Sequence, residues 1–298
     1  MHNFNELANT ISVGIYVIIK GEIGMTGIDP KVDFIFKIIF GNEDNTDILL
    51  SFLNSILKLE KQNRLDKIEV LNPFIKRELL EDKTSILDIK AKTIIGELIN
   101  IEIQLSNKYN MDKRSLYYWS KLYSGQLSVG EDYKQLKKTI TINIINFNYL
   151  DGKDFHKVFH LKEESTGKIL NDQLEIHFVE LLKVPEATKE ERDPLQMWLQ
   201  FLKYENKEVL EEYAMADPAI KKAINVLDLL NRDVDTKELY EIREKALKDE
   251  TSMINGAKLE GKIEGKLEDA AKMLEKGLSV EDIMEITGLK IEEIKKVM

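Results

Sequence analysis

Residues 86–104 read ILDIKAKTIIGELINIEIQ, two runs of alternating apolar residues separated by Gly96. Period-two alternation on either side of a glycine predicts a β-hairpin over 86–91 and 98–105. Successive strand residues point to opposite faces, so Asp88 and Lys90 share one face, and so do Glu102 and Gln104. If the hairpin pairs across its turn, all four converge. Two carboxylates at the ends of neighbouring strands make a site for a hard divalent cation, since Mg²⁺ takes oxygen ligands and needs only one or two protein carboxylates. The competing reading is a pair of ordinary strand-end acids matched with lysines; the apolar run around Asp88 weighs against it. Lys90 is a candidate for the cation beside an attacking water, and Gln104 can orient that water without carrying charge.

The rest of the chain alternates helix and strand as far as residue 185. Residues 31–40 (KVDFIFKIIF) predict a helix entered at Pro30 and stopped at Gly41, and 45–59 a second helix. Residues 68–71, 139–149 and 175–183 read as strands, and 108–129 as a helix. Past Pro194 everything reads helical, with acids and bases interleaved. The expected division is an N-terminal extension (1–26), an α/β domain (27–185), a helical region (186–252) and a helical tail (253–298). Met25 stands just before the first helix pattern, so residues 1–24 are expected to lie upstream of the natural start or to form a loose extension.

Within the tail, KLEG, KIEG and KLED repeat over 258–269, setting Leu259, Ile263 and Leu267 on one stripe and Gly261 and Gly265 on another. Glycine costs about 1 kcal/mol against alanine inside a helix, so the pair suggests close approach of another helix; a marginal helical linker is the plainer alternative. Ser279 with Asp282 predicts a capping box and Gly288 a turn, giving an end that resembles a helix-turn-helix. Glu292 and Glu293 sit where base and phosphate contacts would lie, which favours an interaction or oligomerisation module over DNA reading.

Composition narrows the function. With no cysteine, disulfides, thiolate zinc sites and cysteine nucleophiles are excluded, and a reducing cytoplasm is expected. Of the four histidines only His156 and His160 stand at i, i+4, where a surface strand or hinge is a better reading than a metal site. The apolar run 11–19 is too short to span a bilayer, so no membrane partner is expected. Net charge is −10, with 24 basic against 26 acidic residues up to 185 and 19 against 27 beyond. That argues against coating of polyanions and leaves room for a local phosphate groove. On the 108–129 helix, Arg114, Tyr118 and Lys121 share a face that can grip phosphates, while Tyr117, Trp119 and Tyr123 read as core or half-buried.

In order along the chain, DPKVDFIFKIIFG (29–41), LLSFLNSIL (49–57), DKTSILDIKAKT (82–93), INIEIQ (99–104), KRSLYYWSKLYSGQL (113–127) and GEDYKQLKKTITINI (130–144) resemble the Rpn-type recombination-promoting nuclease/transposase family of the PD-(D/E)XK superfamily. The resemblance covers about residues 27–250. It implies an α/β core, a central mixed sheet flanked by helices, followed by an all-α C-terminal region, and Mg²⁺-dependent endonucleolytic cleavage of DNA, with Mn²⁺ as a possible substitute. Asp88 and Glu102 match the family's metal-binding acids, and Asp33 the acid on the first helix that completes the site; an i, i+4 pair of Asp33 with Lys37 is the alternative. Gln104 stands where the superfamily's commonest pattern has lysine. A nuclease-fold DNA-binding or recombination-accessory protein with weak cutting is the competing function, and a scaffold that self-associates through its C-terminal helices is a third.

Overall fold

The computed structural model describes residues 27–72, 88–107 and 109–297. The expectations for residues 1–26, and for 86 and 87 in the first hairpin strand, lie outside these. A six-stranded sheet of order β1-β2-β3-β4-β6-β5 organises the first of two compact units, which runs to Glu238. Its strands are β1 (Ile68–Val70), β2 (Ile89–Thr93), β3 (Leu98–Gln104), β4 (Thr139–Ile145), β5 (His156–Phe159) and β6 (Leu174–Glu180). β3, β4 and β6 run parallel over seven residues each, and the remaining pairs are antiparallel, so the sheet is mixed. Every residue of β4 is buried, as a central strand covered on both faces requires.

The β2–β3 turn closes as its residues dictate. Gly96 N–H donates to Thr93 O at 3.0 Å, and Gly96 has φ +91°, which an L side chain would resist. The register sets Ile89 opposite Ile101 and Lys90 opposite Asn100. One step further along the same register, Asp88 faces Glu102.

One face of the sheet carries Ile89, Ile99, Ile101, Ile140, Ile142 and Val179, all buried. α1 (Asp33–Phe40) and α2 (Thr46–Ile56) contact the sheet at β3 and β1, and α4 (Pro194–Lys203) packs on α2. α1 ends at Gly41 as the sequence predicts, with Gly41 N–H returning to Lys37 O at 2.8 Å; a Cβ at Gly41 would stand 3.3 Å from Ile89 Cγ1. Phe36, Phe40, Phe52, Trp198 and Phe201 meet in tilted and edge-on pairs at centroid distances of 4.7–6.3 Å, the geometry that ring quadrupoles favour. This nucleus joins α4 to α1 and α2. Helices α5 (Lys207–Ala216) and α6 (Pro218–Leu230) follow in the same unit.

The opposite face carries α3 (Met111–Ser124). Met111 packs with Ile145, Ile176 and Phe178, Trp119 Nε1 donates to Thr139 O at 2.8 Å, and Asn143 Nδ2 donates to Ser115 Oγ at 2.8 Å.

The second unit, Leu239–Met298, holds most of α7 (Val234–Glu275) with α8 (Val280–Thr287) and α9 (Ile291–Ile294). Ala270, Ile283, Leu289 and Ile294 form its small core. The expected cap is present, Ser279 Oγ accepting from Asp282 N at 3.1 Å, and Gly288 ends α8 at φ +68°. The glycine stripe is a correction. Nothing among the described residues lies within 4 Å of a Cβ placed at Gly256, Gly261 or Gly265, so no helix among them approaches there.

Candidate active site

The polar residues of β2 and β3 share the α3 side of the sheet, because their side chains alternate with the isoleucines that face α1. Asp88 enters β2 with 9 % of its surface exposed. Asn72, just past β1, fixes this entry: its Nδ2 donates to Asp88 O at 3.1 Å and Asp88 Oδ1 at 3.3 Å, and its Oδ1 accepts from Lys90 N at 2.6 Å. Lys90 Nζ stands 3.6 Å from Asp88 Oδ2 with its own side chain half exposed. Glu102 and Gln104 are half-buried on β3.

Electrostatics at this pair run against ionisation. Burial raises the Asp88 pKa above the usual carboxylate range, opposed by the charges of Lys90 and Lys37. Burial also raises Glu102, and the charge of Asp88 raises it further, while Arg114 and a hydrogen bond from Asn100 pull it down. Asn100 Nδ2 reaches Glu102 Oε1 at 3.4 Å, and Asn100 Oδ1, buried, has no hydrogen-bond partner among the described residues. Thr141, its register partner on β4, has an unpartnered hydroxyl as well.

This donor set fits a hard cation. Two carboxylates both raised by burial, with Asp88 raising Glu102 further, beside an amide oxygen left without a donor, are oxygen ligands of the kind Mg²⁺ and Mn²⁺ take. Among the described residues no group of three or more His, Cys, Asp or Glu stands together as a metal site. The structure therefore gathers the pair; Asp33 stays in the first turn of α1, its Oδ1 accepting from Phe34 N at 2.9 Å.

The first unit thus combines a mixed sheet, flanking helices and a carboxylate pair at neighbouring strand positions. A family model described as PD-(D/E)XK nuclease family transposase matches residues 30–257. The chain belongs to this family. Comparisons with curated proteins and with solved structures returned no match. A PD-(D/E)XK nuclease-family chain is an α/β protein with a nuclease-type function, and the expected fold class holds. Among its described residues no helix is long and apolar enough to cross a membrane.

The structure brings Asp88, Lys90, Glu102 and the charge of Arg114 together. Arg114 lies 6.0 Å from the Tyr118 ring centroid, and Lys121 Nζ 4.9 Å from that of Tyr117. Tyr117 is a correction: expected in the core or half-buried, it is 53 % exposed. Trp119 and Tyr123 are half-buried as expected and stack on each other at 4.8 Å. His156 does not meet His160. Its Nε2 lies 2.9 Å from His177 Nδ1, on the β5–β6 edge. Sequence reasoning missed Asn72 and Asn100, and it read Lys37 only as a partner for Asp33. Burial of a lysine in α1, at 7 % exposure, was the available sign only once the helix was placed.

Proposed function

We propose that this nuclease-family chain is a Mg²⁺-dependent DNA endonuclease that hydrolyses phosphodiester bonds. The observation that carries the reading is the pair of buried Asp88 and half-buried Glu102 on neighbouring strand positions, in which both carboxyls are held above their usual pKa and Glu102 is raised partly by Asp88 itself. Perturbed carboxylates of this kind mark functional sites, since a fold keeps such a pair at a cost in stability.

Asp88 and Glu102 would hold the cation, with Asp33 as an assisting acid and Mn²⁺ as an alternative metal. When bound, the cation supplies charge stabilisation at the phosphate and a bound water of lowered pKa. Lys90, half exposed at the mouth of the pair, adds positive charge where negative charge grows on the phosphate. Gln104 accepts a hydrogen bond from the attacking water and so orients it; it takes no proton. Arg114, Tyr118 and Lys121 hold the DNA backbone along α3, Arg114 by a two-pronged contact with a phosphate. The C-terminal helices serve self-association or target choice, and the cysteine-free composition fits a cytoplasmic setting.

The test is nicking of supercoiled plasmid by the purified chain with Mg²⁺, beside Asp88→Ala and an EDTA control. Cleavage that disappears in both controls is expected. A folded protein that binds plasmid but cuts with neither Mg²⁺ nor Mn²⁺ would replace this reading with a recombination-accessory one.

A further inference from the structure

We propose that Tyr117 and Tyr118 form a stacking platform for unpaired bases, so that the site takes single-stranded segments of DNA; this rests on the DNA-cleaving function proposed above. On α3, Leu116, Tyr117 and Tyr118 are 51 %, 53 % and 40 % exposed. Water contact on three successive large apolar side chains is unfavourable, and a patch of this kind marks a binding surface. The two rings meet edge-on, 5.6 Å between centroids and 64° between planes. Each has a cation one helical turn away, Arg114 for Tyr118 and Lys121 for Tyr117.

The same helix is anchored beside the carboxylates. Ser115 Oγ accepts from Asn143 Nδ2, and Asn143 is the register partner of Glu102. The rings therefore stand two and three residues along α3 from its contact with the strand neighbour of Glu102. The charge pattern selects the occupant. α3 carries Lys113, Arg114 and Lys121 against Asp112 alone, in a chain of net charge −10, and Asp112 is engaged by the Tyr149 hydroxyl at 2.7 Å. Aromatic faces alternating with cations match a strand that offers bare base faces and phosphates in alternation. A duplex hides its base faces in its own stack, so it would meet only the cations. As a base covers Tyr117, the exposed Lys121 ammonium moves from the ring to the neighbouring phosphate, which keeps its charge compensated.

The experiment uses the full chain in EDTA, so that cutting does not intervene. Binding of a labelled single strand carrying 2-aminopurine is compared with that of the same sequence as duplex, at one fixed salt concentration. The single strand is expected to bind more tightly, with the 2-aminopurine emission quenched. Tyr117→Ala should weaken single-strand binding about tenfold, or about 1.4 kcal/mol, within the range for loss of one stacked base, and Tyr117→Phe should retain it. The ring is exposed, so the thermal melt of Tyr117→Ala should match that of the parent. Unaltered single-strand affinity in Tyr117→Ala, or equal weakening of both DNA forms, overturns the platform. If duplex cutting with Mg²⁺ persists under either result, the nuclease reading survives alone. A folded parent protein that binds neither form overturns both. A change of oligomeric state in Tyr117→Ala without a change in DNA binding would assign the rings to a protein contact instead.

Discussion

Asp88 and Glu102 are each kept by burial from their preferred charge, and the Asp88 charge acts on Glu102 in the same sense. Removing one of these charges should therefore relieve the apo protein. Asp88→Asn is expected to raise apo stability at neutral pH by about 1 kcal/mol, a gain of a few degrees in Tm. In the same variant Mg²⁺ should lose its stabilising effect, because a cation that binds only the folded state raises Tm by mass action and the site would lack one carboxylate. Thermal melts with and without Mg²⁺ check both parts; a lower apo Tm or an undiminished Mg²⁺ shift would contradict the assignment. Lys90, Glu102, Gln104 and Asp88 were legible in the sequence because strand alternation fixes the face of each residue once a hairpin is recognised. Asn72 and Asn100 were not. Asn72 reaches Asp88 from 16 residues away through the pairing of β1 with β2, and Asn100 matters through a buried oxygen whose missing partner is a property of packing. Tyr117 was misplaced for a related reason: helical spacing groups residues into faces without saying which face the sheet covers.

Helices and strands were read well where local chemistry marks their ends. Gly41 closes α1, Gly96 turns the hairpin and Ser279 caps α8. The short β5 was harder, since its four residues are at most half-buried and lack a clean apolar alternation. Among the described residues no helix meets Gly261 or Gly265, since small side chains permit a helix contact without requiring one. At the level of elements, Asp217 joins two helices. Its Oδ1 caps α6 by accepting from Ala219 N at 2.7 Å, and its Oδ2 accepts from Ser51 Oγ of α2 at 3.2 Å. Ser51 Oγ in turn receives Trp198 Nε1 at 3.2 Å. Loss of an N-cap alone costs about 0.5–2 kcal/mol, and here the link to α2 goes with it. Asp217→Ala is expected to lose about 1–2 kcal/mol in urea denaturation, whereas Asp217→Asn, which keeps the cap acceptor, should lose less. Equal losses would mean that the cap geometry contributes little.

Across the whole molecule, acid should act on stability through two opposed sets of groups. At the β5–β6 edge His156 stacks on His177, whose Nε2 meets Glu175 Oε1 at 2.7 Å, and Lys138 holds the other Glu175 oxygen at 2.7 Å. Burial, then the charges of His177 and Lys58, push the His156 pKa down to about 4 from an ordinary 6.5. The unfolded chain therefore takes up a proton that folded His156 refuses between pH 6.5 and 4. Stability from this group is complete above 6.5 and drains away as pH falls to about 4. Burial alone would raise Glu175, but hydrogen bonds from His177 and Lys138 outweigh it and leave the pKa at about 2. Its contribution is present above the ordinary 4.5 and is lost as pH falls through 2. Asp88 and Glu102 have the reverse sign. Their raised folded pKa values make the pair most comfortable when protonated, so they favour the folded state at low pH and lose that advantage as pH rises through those values. Between pH 7 and 5 His156 loses stability while the raised Asp88 and Glu102 gain it, so removing the histidine isolates its share. Relative to the parent, His156→Phe, which fills the same stack without titrating, is therefore expected to lose less of its urea midpoint between pH 7 and pH 5. A variant as steep as the parent would place the acid sensitivity elsewhere in the fold.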